Sequence, residues 1–250
     1  MPRRLGQHFL VRDSILERIA RETCAEHTER VVEIGPGRGA LTRHLLPRTD
    51  ELHVVELDPY LVNVLLTKFA GEPKLTVHHA DVLATDLSQW GPAAIAGNLP
   101  YYITSPIIEK FIELDARFPV AVFLVQWEVG ERLVASPGNR AYGYLSVATQ
   151  LVCDASLISK VPASAFSPRP KVDSAVVRLR RKPQAPADRI ALLRFVSRCF
   201  LQKRKTLRNN LRAIYSERID AMPEAGLRAE QLSVAQFISL HDRLSTQAES

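Results

Sequence analysis

The 250 residues are 46% hydrophobic and 24% charged, enough apolar material for one large folded domain or a large and a small one, which excludes a disordered or collagen-like chain. The formal net charge is +6, the isoelectric point lies near 9.4, and the longest apolar runs, such as 120–125, fall far short of the about 20 residues that span a bilayer. No membrane association is expected, and an N-terminus without the apolar stretch and cleavage site of a secretory signal points to the cytoplasm.

From Asp13 apolar residues recur at helical intervals through Ala20, with Ser14 and Glu17 at capping-box spacing, so a helix is expected to begin there. Short apolar strands then alternate with helical stretches. Residues 31–34, 52–56, 75–78, 94–97 and 120–126 read as strands, and those around 40–46, 59–69 and 105–114 as helices. The alternation predicts a parallel α/β sheet with helices on both faces, the doubly wound or Rossmann-like architecture. A further helix is expected over 144–152. Two later strands, 155–161 and 173–181, flank a proline-rich turn, 162–170, and are expected to close the sheet as an antiparallel hairpin. Residues 182–187 have the composition of a linker, beyond which the pattern is wholly helical through Leu201, Leu211, Phe237 and Leu240. The expected organisation is an α/β domain over 1–182 and a small all-helical domain over 187–250.

The first of these strands runs into Glu33-Ile34-Gly35-Pro36-Gly37-Arg38-Gly39-Ala40, a glycine-rich turn that opens a helix. Such glycines let backbone approach a cofactor where doubly wound sheets hold their ligands. The spacing also fits a dinucleotide fingerprint, so alone it does not separate NAD from S-adenosylmethionine. Glu56 ends the second strand, 21 residues after Gly35, where a carboxylate can accept from both hydroxyls of a ribose. Asp81 then ends the third strand in His79-Ala80-Asp81-Val82, where an acid can accept from the exocyclic amine of a cofactor adenine. That second acid favours S-adenosylmethionine.

Gly97-Asn98-Leu99-Pro100-Tyr101-Tyr102 stands at the end of the fourth strand. The exocyclic amine of adenine is a poor nucleophile because its lone pair is delocalised into the ring, so a catalyst must accept its N–H bonds and favour a pyramidal nitrogen. The Asn98 side-chain oxygen and the Leu99 carbonyl suit this task. Pro100 stiffens the turn and removes a competing donor, and Tyr101 offers a face on which an extruded base can stack. No strong base is needed, since the proton becomes acidic once a methyl has arrived. Tyr102 reads as packing.

Charge is unevenly placed along the chain. Between Lys160 and Arg212 fifteen Lys or Arg stand against two acids, Asp173 and Asp188, so this stretch carries +13 and the remainder −7. A basic block on an otherwise acidic chain points to a nucleic-acid partner, since neutralised phosphates release counterions. Cys24, Cys153 and Cys199 are odd in number and lack metal-ligand spacing; they are expected to be reduced and buried, with neither metal nor disulfide.

The segment Arg4-Leu5-Gly6-Gln7-His8-Phe9-Leu10, the glycine loop, Glu56, Asp81, Asn98 to Tyr102, Phe166 to Val176 and Arg204 to Leu211 follow one another over nearly the whole chain. Together they resemble the KsgA-type ribosomal RNA small-subunit adenine dimethyltransferases. The resemblance implies a Rossmann-like S-adenosylmethionine-dependent methyltransferase domain followed by a small helical domain. It implies transfer of four methyls to the N6 amines of two adjacent adenosines in the loop of the 3′-terminal helix of 16S rRNA, late in small-subunit assembly. His8, Leu10, Gly35, Gly37, Glu56, Asp81 and Asn98 would line the cofactor and target site. Position 8 often holds Asn in that family, and His can still donate a hydrogen bond there. Phe166 would stack on the second face of the target adenine. Lys203, Arg204, Lys205, Arg208 and Arg212 would contact rRNA phosphates, which position an enzyme without reading sequence.

Three competing readings share the fold. A 23S rRNA methyltransferase of the macrolide-resistance type is disfavoured by the Phe166–Val176 and Lys203–Leu211 motifs. A non-catalytic assembly factor would not need Glu56, Asp81 and Asn98 intact, and an NAD-dependent dehydrogenase leaves Asn98–Tyr102 and the basic block unexplained. The chain is expected to act as a monomer.

Overall fold

The computed structural model describes residues 8–25, 28–184, 186 and 188–246; residues 4–7 of the N-terminal motif lie outside them. The described residues form two compact units. One comprises the chain up to Gly130 together with Ala155–Arg181, the other Glu131–Asp154 and the chain from Lys182 onward.

The first unit is built on one sheet. Strands β2 (Thr28–Ile34), β3 (Thr49–Glu56), β4 (Leu75–His79), β5 (Ala94–Asn98) and β6 (Val120–Gln126) are parallel to their neighbours among them, in the order β4-β3-β2-β5-β6. Val31, Val32, Val54, Ile95, Ala96, Val122 and Phe123 are fully buried, the near-continuous apolar character of strands covered on both faces. Beyond β6 the sheet continues with β9 (Ser174–Arg181), antiparallel to β6, and then β7 (Cys153–Val161) at the edge. The last two strands are therefore neighbours at the sheet's end, as the sequence suggests.

Helices α1 (Asp13–Thr23), α2 (Thr42–Leu45), α3 (Pro59–Lys68) and α4 (Thr104–Glu113) connect the strands. The helix α4 buries Ile107, Ile108, Phe111 and Ile112, each contributing about 1.5–3 kcal/mol relative to exposure. The capping box expected at Ser14 and Glu17 does not form. The N-cap is Arg12, without a side-chain cap, so Ser14 already lies in the first turn, and the Glu17 carboxylate is taken up by Arg48 and His44.

A two-stranded ribbon lies apart from the main sheet. Strand β1 (Phe9–Leu10) pairs antiparallel with β8 (Phe166–Ser167), Leu10 opposite Phe166, and the Val11 N–H donates to the Ala165 carbonyl at 2.9 Å. The loop bearing β8 is held by Asp173, whose carboxylate accepts from the Ala163 N–H at 3.0 Å and pairs with Lys160 at 3.2 Å.

Helix α5 (Trp127–Val134) carries the chain across the division. The second unit is helical, with α6 (Tyr144–Val152), α7 (Arg189–Cys199), α8 (Leu207–Tyr215) and α9 (Val234–Thr246). Helix α6 packs on α7 and α9, so residues 131–154 group with the C-terminal helices, not with the sheet as a single break at 182–187 would have it. The fully buried Tyr142 donates its hydroxyl to the Leu232 carbonyl at 2.8 Å. The Asn210 amide bridges the Cys199 carbonyl at 2.8 Å and the Gln202 N–H at 3.2 Å.

Candidate active site

The register places Ile34 beside Val55 and Gly97, and Glu56 beside His79. The glycine loop, Glu56, Asp81 and Asn98 therefore emerge along one edge of the sheet, the carboxyl ends of its parallel strands, where such sheets bind ligands. Two adjoining cavities open there. The larger, about 370 Å³, is lined among others by His8, Glu33, Gly35, Glu56, Asn98 and Tyr101. The smaller, about 60 Å³, shares Gly35, Glu56 and Pro100 with it and adds Asp81, Val82 and Tyr102. The larger volume is that of a small-molecule site.

Loop shape and the first acid are linked. Gly35 and Gly37 adopt φ of 65° and 59°, and a Cβ on Gly37 would come within 3.0 Å of the Phe9 ring, so glycine is required there for conformation and for space. The Gly37 N–H donates to Glu56 Oε2 at 3.1 Å, and the Leu57 and Asp58 N–H groups donate to Oε1 at 2.9 and 3.0 Å. Three backbone donors fix this carboxylate and still leave lone pairs on Oε2 for hydroxyl donors. Asp81 accepts from the Leu83 N–H through Oδ1 at 2.8 Å and lines the smaller cavity.

Gly97 has a role the sequence reading did not assign. A Cβ there would lie 2.7 Å from the Ile34 carbonyl oxygen, so only glycine lets β5 run this close to β2 and deliver Asn98 beside the glycine loop. The Asn98 Nδ2 donates to the His8 carbonyl at 3.1 Å. A carbonyl can only accept, so the amide nitrogen must face it and Oδ1 is left as an acceptor. The Leu99 N–H is spent on Leu124 O at 3.1 Å, while no N–H or O–H of the described residues donates to the Leu99 carbonyl. Two acceptors thus stand on consecutive residues at the cavity wall.

Tyr101 is held at both ends. Its hydroxyl shares a hydrogen bond of 2.8 Å with Ser174 Oγ, and burial pushes that hydroxyl's pKa up against the lowering effect of Ser174. Its ring lies against the His8 imidazole, centroids 5.8 Å apart and planes inclined by 30°, while His8 Nδ1 bonds the Pro168 carbonyl at 2.8 Å. One face of Tyr101 is therefore covered by His8. Leu10 lines the larger cavity. Phe166 does not: it is 4% exposed and packs with Leu10 and Leu16 in the core, so stacking on a target base would require it to leave that cluster.

Glu33 lies in the larger cavity as a second, differently treated acid. It is 1% exposed, and its carboxylate accepts from Thr42 Oγ1 through Oε2 at 2.6 Å. Burial pushes its carboxyl up to about 8, opposed by the Thr42 hydroxyl and by Lys68 and reinforced by Glu56. Lys68 Nζ donates to the Arg38 carbonyl at 2.9 Å.

The basic block is dispersed by folding. Arg178 pairs with Glu22 at 2.6 Å, and Arg181 donates to the Phe111 and Ile112 carbonyls. Arg208 and Arg212 both reach Asp220, at 2.7 and 3.5 Å. Lys203, Arg204 and Lys205 remain exposed. Within the second unit Lys203 lines a cleft of about 500 Å³ together with Arg140 and Arg228. The latter two stand outside the 160–212 run, so linear charge counting misses them. Among the described residues no group of three His, Cys, Asp or Glu is placed to hold a metal, Cys24, Cys153 and Cys199 are buried and form no disulfide, and no helix is long and apolar enough to cross a membrane.

Residues 2–246 match the family model described as ribosomal RNA adenine dimethylase. The chain is 43% identical over 247 residues to the ribosomal RNA small subunit methyltransferase A of Alcanivorax borkumensis, covering 95% of this chain and 88% of that one. Its fold is similar to a crystal structure of a dimethyladenosine transferase from Plasmodium falciparum, with a TM-score of 0.84, 25% identity and coverage of 96% and 98%. It is also similar to a crystal structure of the 23S rRNA methyltransferase ErmE, with a TM-score of 0.74, 29% identity and coverage of 95% and 99%.

Proposed function

The chain belongs to the ribosomal RNA adenine dimethylase family, and on that premise we propose that it is the family's small-subunit enzyme. It dimethylates the N6 amines of two adjacent adenosines in the loop of the 3′-terminal helix of 16S rRNA, with S-adenosylmethionine as methyl donor, late in small-subunit assembly. The observation that supports this reading best is the pairing of two unspent acceptors, Asn98 Oδ1 and the Leu99 carbonyl, at the wall of a cavity built for a nucleoside cofactor. The choice of 16S over 23S rRNA rests on the 43% identity to a small-subunit methyltransferase against 29% to ErmE.

The residues fit the cofactor. Gly35 and Gly37 give backbone access, Glu56 has lone pairs left for ribose hydroxyls, Asp81 stands where an adenine amine would reach it, and His8 and Leu10 line the wall. When bound, S-adenosylmethionine supplies an electrophilic methyl on a positively charged sulfur. Asn98 and Leu99 accept the two N6–H bonds of the target adenine, drawing its nitrogen toward a pyramidal geometry and stabilising the ammonium that develops. Pro100 keeps the turn rigid, and the Ser174 bond fixes the Tyr101 ring beside the base. Orientation supplies much of the rate, and the spare proton passes to solvent without a dedicated base. The adenosines are splayed out of their loop, which costs less than extrusion from a duplex.

Lys203, Arg204 and Lys205, joined by Arg140 and Arg228, hold RNA phosphates; Arg208 and Arg212 contribute to the extent that phosphate competes with Asp220. The enzyme acts as a monomer in the cytoplasm. Label transfer from methyl-labelled S-adenosylmethionine to small subunits lacking these methyls, beside large subunits, tests the substrate. Label in 16S rRNA alone is expected, and label confined to 23S rRNA would overturn the assignment.

A further inference from the structure

The chain has two tryptophans, and the sheet treats them differently. Trp90 precedes β5 and packs against His53 on β3 and His78 on β4, where it is almost covered. Trp127 directly follows β6, at the carboxyl ends of the parallel strands, beside the strand that delivers Asn98. Register fixes how near it stands. Asn98 lies beside Leu124 on β6, and Gln126 pairs with Ser174 on β9, whose hydroxyl shares the bond with Tyr101. The Trp127 N–H then donates to the residue opposite, through the Asp173 carbonyl at 3.0 Å. Trp127 is three residues past Leu124, so its backbone stands about 10 Å beyond the level of Asn98 at about 3.3 Å per residue.

The Trp127 side chain is only half-buried, and its indole N–H donates to no acceptor among the described residues. Lys160, on β7, places Nζ 5.0 Å from the ring centroid and pairs with Asp173 at 3.2 Å, its side chain 56% exposed. A ring with a cation beside it matches a single-stranded nucleotide, the ring taking the base and the ammonium the phosphate. The contacts that such a nucleotide would replace are weak. A cation over an exposed ring is worth about two- to fivefold and an exposed ion pair no more than about fivefold, against about 5- to 150-fold for a base stacked on an aromatic ring. We propose that Trp127 and Lys160 form a seat for a nucleotide flanking the target adenosine: the base displaces the ammonium from the ring, and Lys160 turns from Asp173 to the nucleotide's phosphate. The seat rests on the assignment of ribosomal RNA as the substrate, and it gives the splayed loop a hold outside the pocket around Asn98.

Ultraviolet cross-linking of the full chain to small subunits lacking the methyls, followed by mass analysis of the peptide–nucleotide adducts, reads the contact directly. Trp127 is expected on a nucleotide immediately flanking the dimethylated adenosines. In steady-state methyl transfer Trp127→Leu should raise KM for subunits by about tenfold with a smaller loss in kcat, and Trp127→Phe should recover most of the affinity. Lys160→Gln, which keeps the ring, should lower the slope of log affinity against log salt by about 1. Cofactor Kd should stay at the parent value in all three. The adduct of the parent chain and the Lys160→Gln slope decide the matter even where Trp127→Leu folds poorly. A KM within about twofold of the parent for Trp127→Leu, equal losses in Trp127→Leu and Trp127→Phe, weakened cofactor binding in place of weakened subunit binding, or a Trp127 adduct remote from the adenosines would each overturn the seat while the parent chain still methylates rRNA. Failure of the parent chain to methylate any rRNA would overturn the substrate assignment, and the seat with it.

Discussion

Replacing Asn98 with alanine removes two interactions of different kinds, and the structure separates their sizes. The first is the Oδ1 acceptor aimed at the target amine. Loss of one preorganised group facing developing charge costs about 2.7–4 kcal/mol, or 10²–10³ in turnover, and the Leu99 carbonyl retains the other half of the pair. The second is the 3.1 Å bond from Nδ2 to the His8 carbonyl. Asn98 and His8 are only partly buried, so water replaces that bond and its loss costs about 0.5–1 kcal/mol of stability, a fall in Tm of roughly 1–4 °C for a chain of this size. Single-turnover methyl transfer at saturating cofactor and small subunits should therefore fall by about 10²–10³, with cofactor Kd changed less than about tenfold. A variant that turns over within about threefold of the parent would refute the assignment of Asn98 as the amine's acceptor.

Three further outcomes follow from other parts of the molecule. Glu33 has its carboxyl raised by burial to about 8 from an ordinary 4.5, so the native state keeps a proton that the unfolded chain releases across that window. Its contribution is complete below the ordinary carboxylate range and is lost as pH rises toward 8; urea unfolding of the cofactor-free protein should show a fall of up to ~4 kcal/mol that Glu33→Gln lacks. Tyr142→Phe leaves the buried Leu232 carbonyl without its donor and should lower unfolding free energy by about 1–3 kcal/mol, with the denaturant slope and the activity per folded molecule unchanged. Arg140→Gln and Arg228→Gln should each reduce by about 1 the slope of log affinity for small subunits against log salt, with cofactor Kd unaltered, and Arg212→Gln should reduce it less because Arg212 is shared with Asp220.

Much of this architecture is legible in the sequence because its physics is local. The five parallel strands are buried on both faces, so each reads as an apolar run, and Glu56, Asp81 and Asn98 stand at or just past strand ends, where ligand-binding side chains belong. The glycine loop is marked by residue type alone. Other features depend on partners distant in sequence. Ser14 and Glu17 have capping-box spacing, yet Glu17 is drawn to Arg48 and His44, which only the fold brings near. The need for glycine at position 97 comes from Ile34 on a neighbouring strand. Arg140 and Arg228 join Lys203 across nearly ninety positions of chain, beyond any charge window, while Lys160, Arg178, Arg181, Lys182, Arg208 and Arg212 of the linear basic block are engaged by ion pairs or carbonyls. Phe166 sits in the core because β8 pairs with Leu10, a contact no periodicity announces.

The central claim is that one site, organised around Asn98, dimethylates adenosine in small-subunit RNA. It is tested most directly by nucleoside mass analysis of 16S rRNA from cells deleted for their own dimethylase and supplied with this chain or with its Asn98→Ala variant. The account predicts N6,N6-dimethyladenosine at two adjacent positions of the 3′-terminal loop with the parent chain and almost none with the variant. Dimethyladenosine in 23S rRNA instead, or equal modification by both chains, would contradict it.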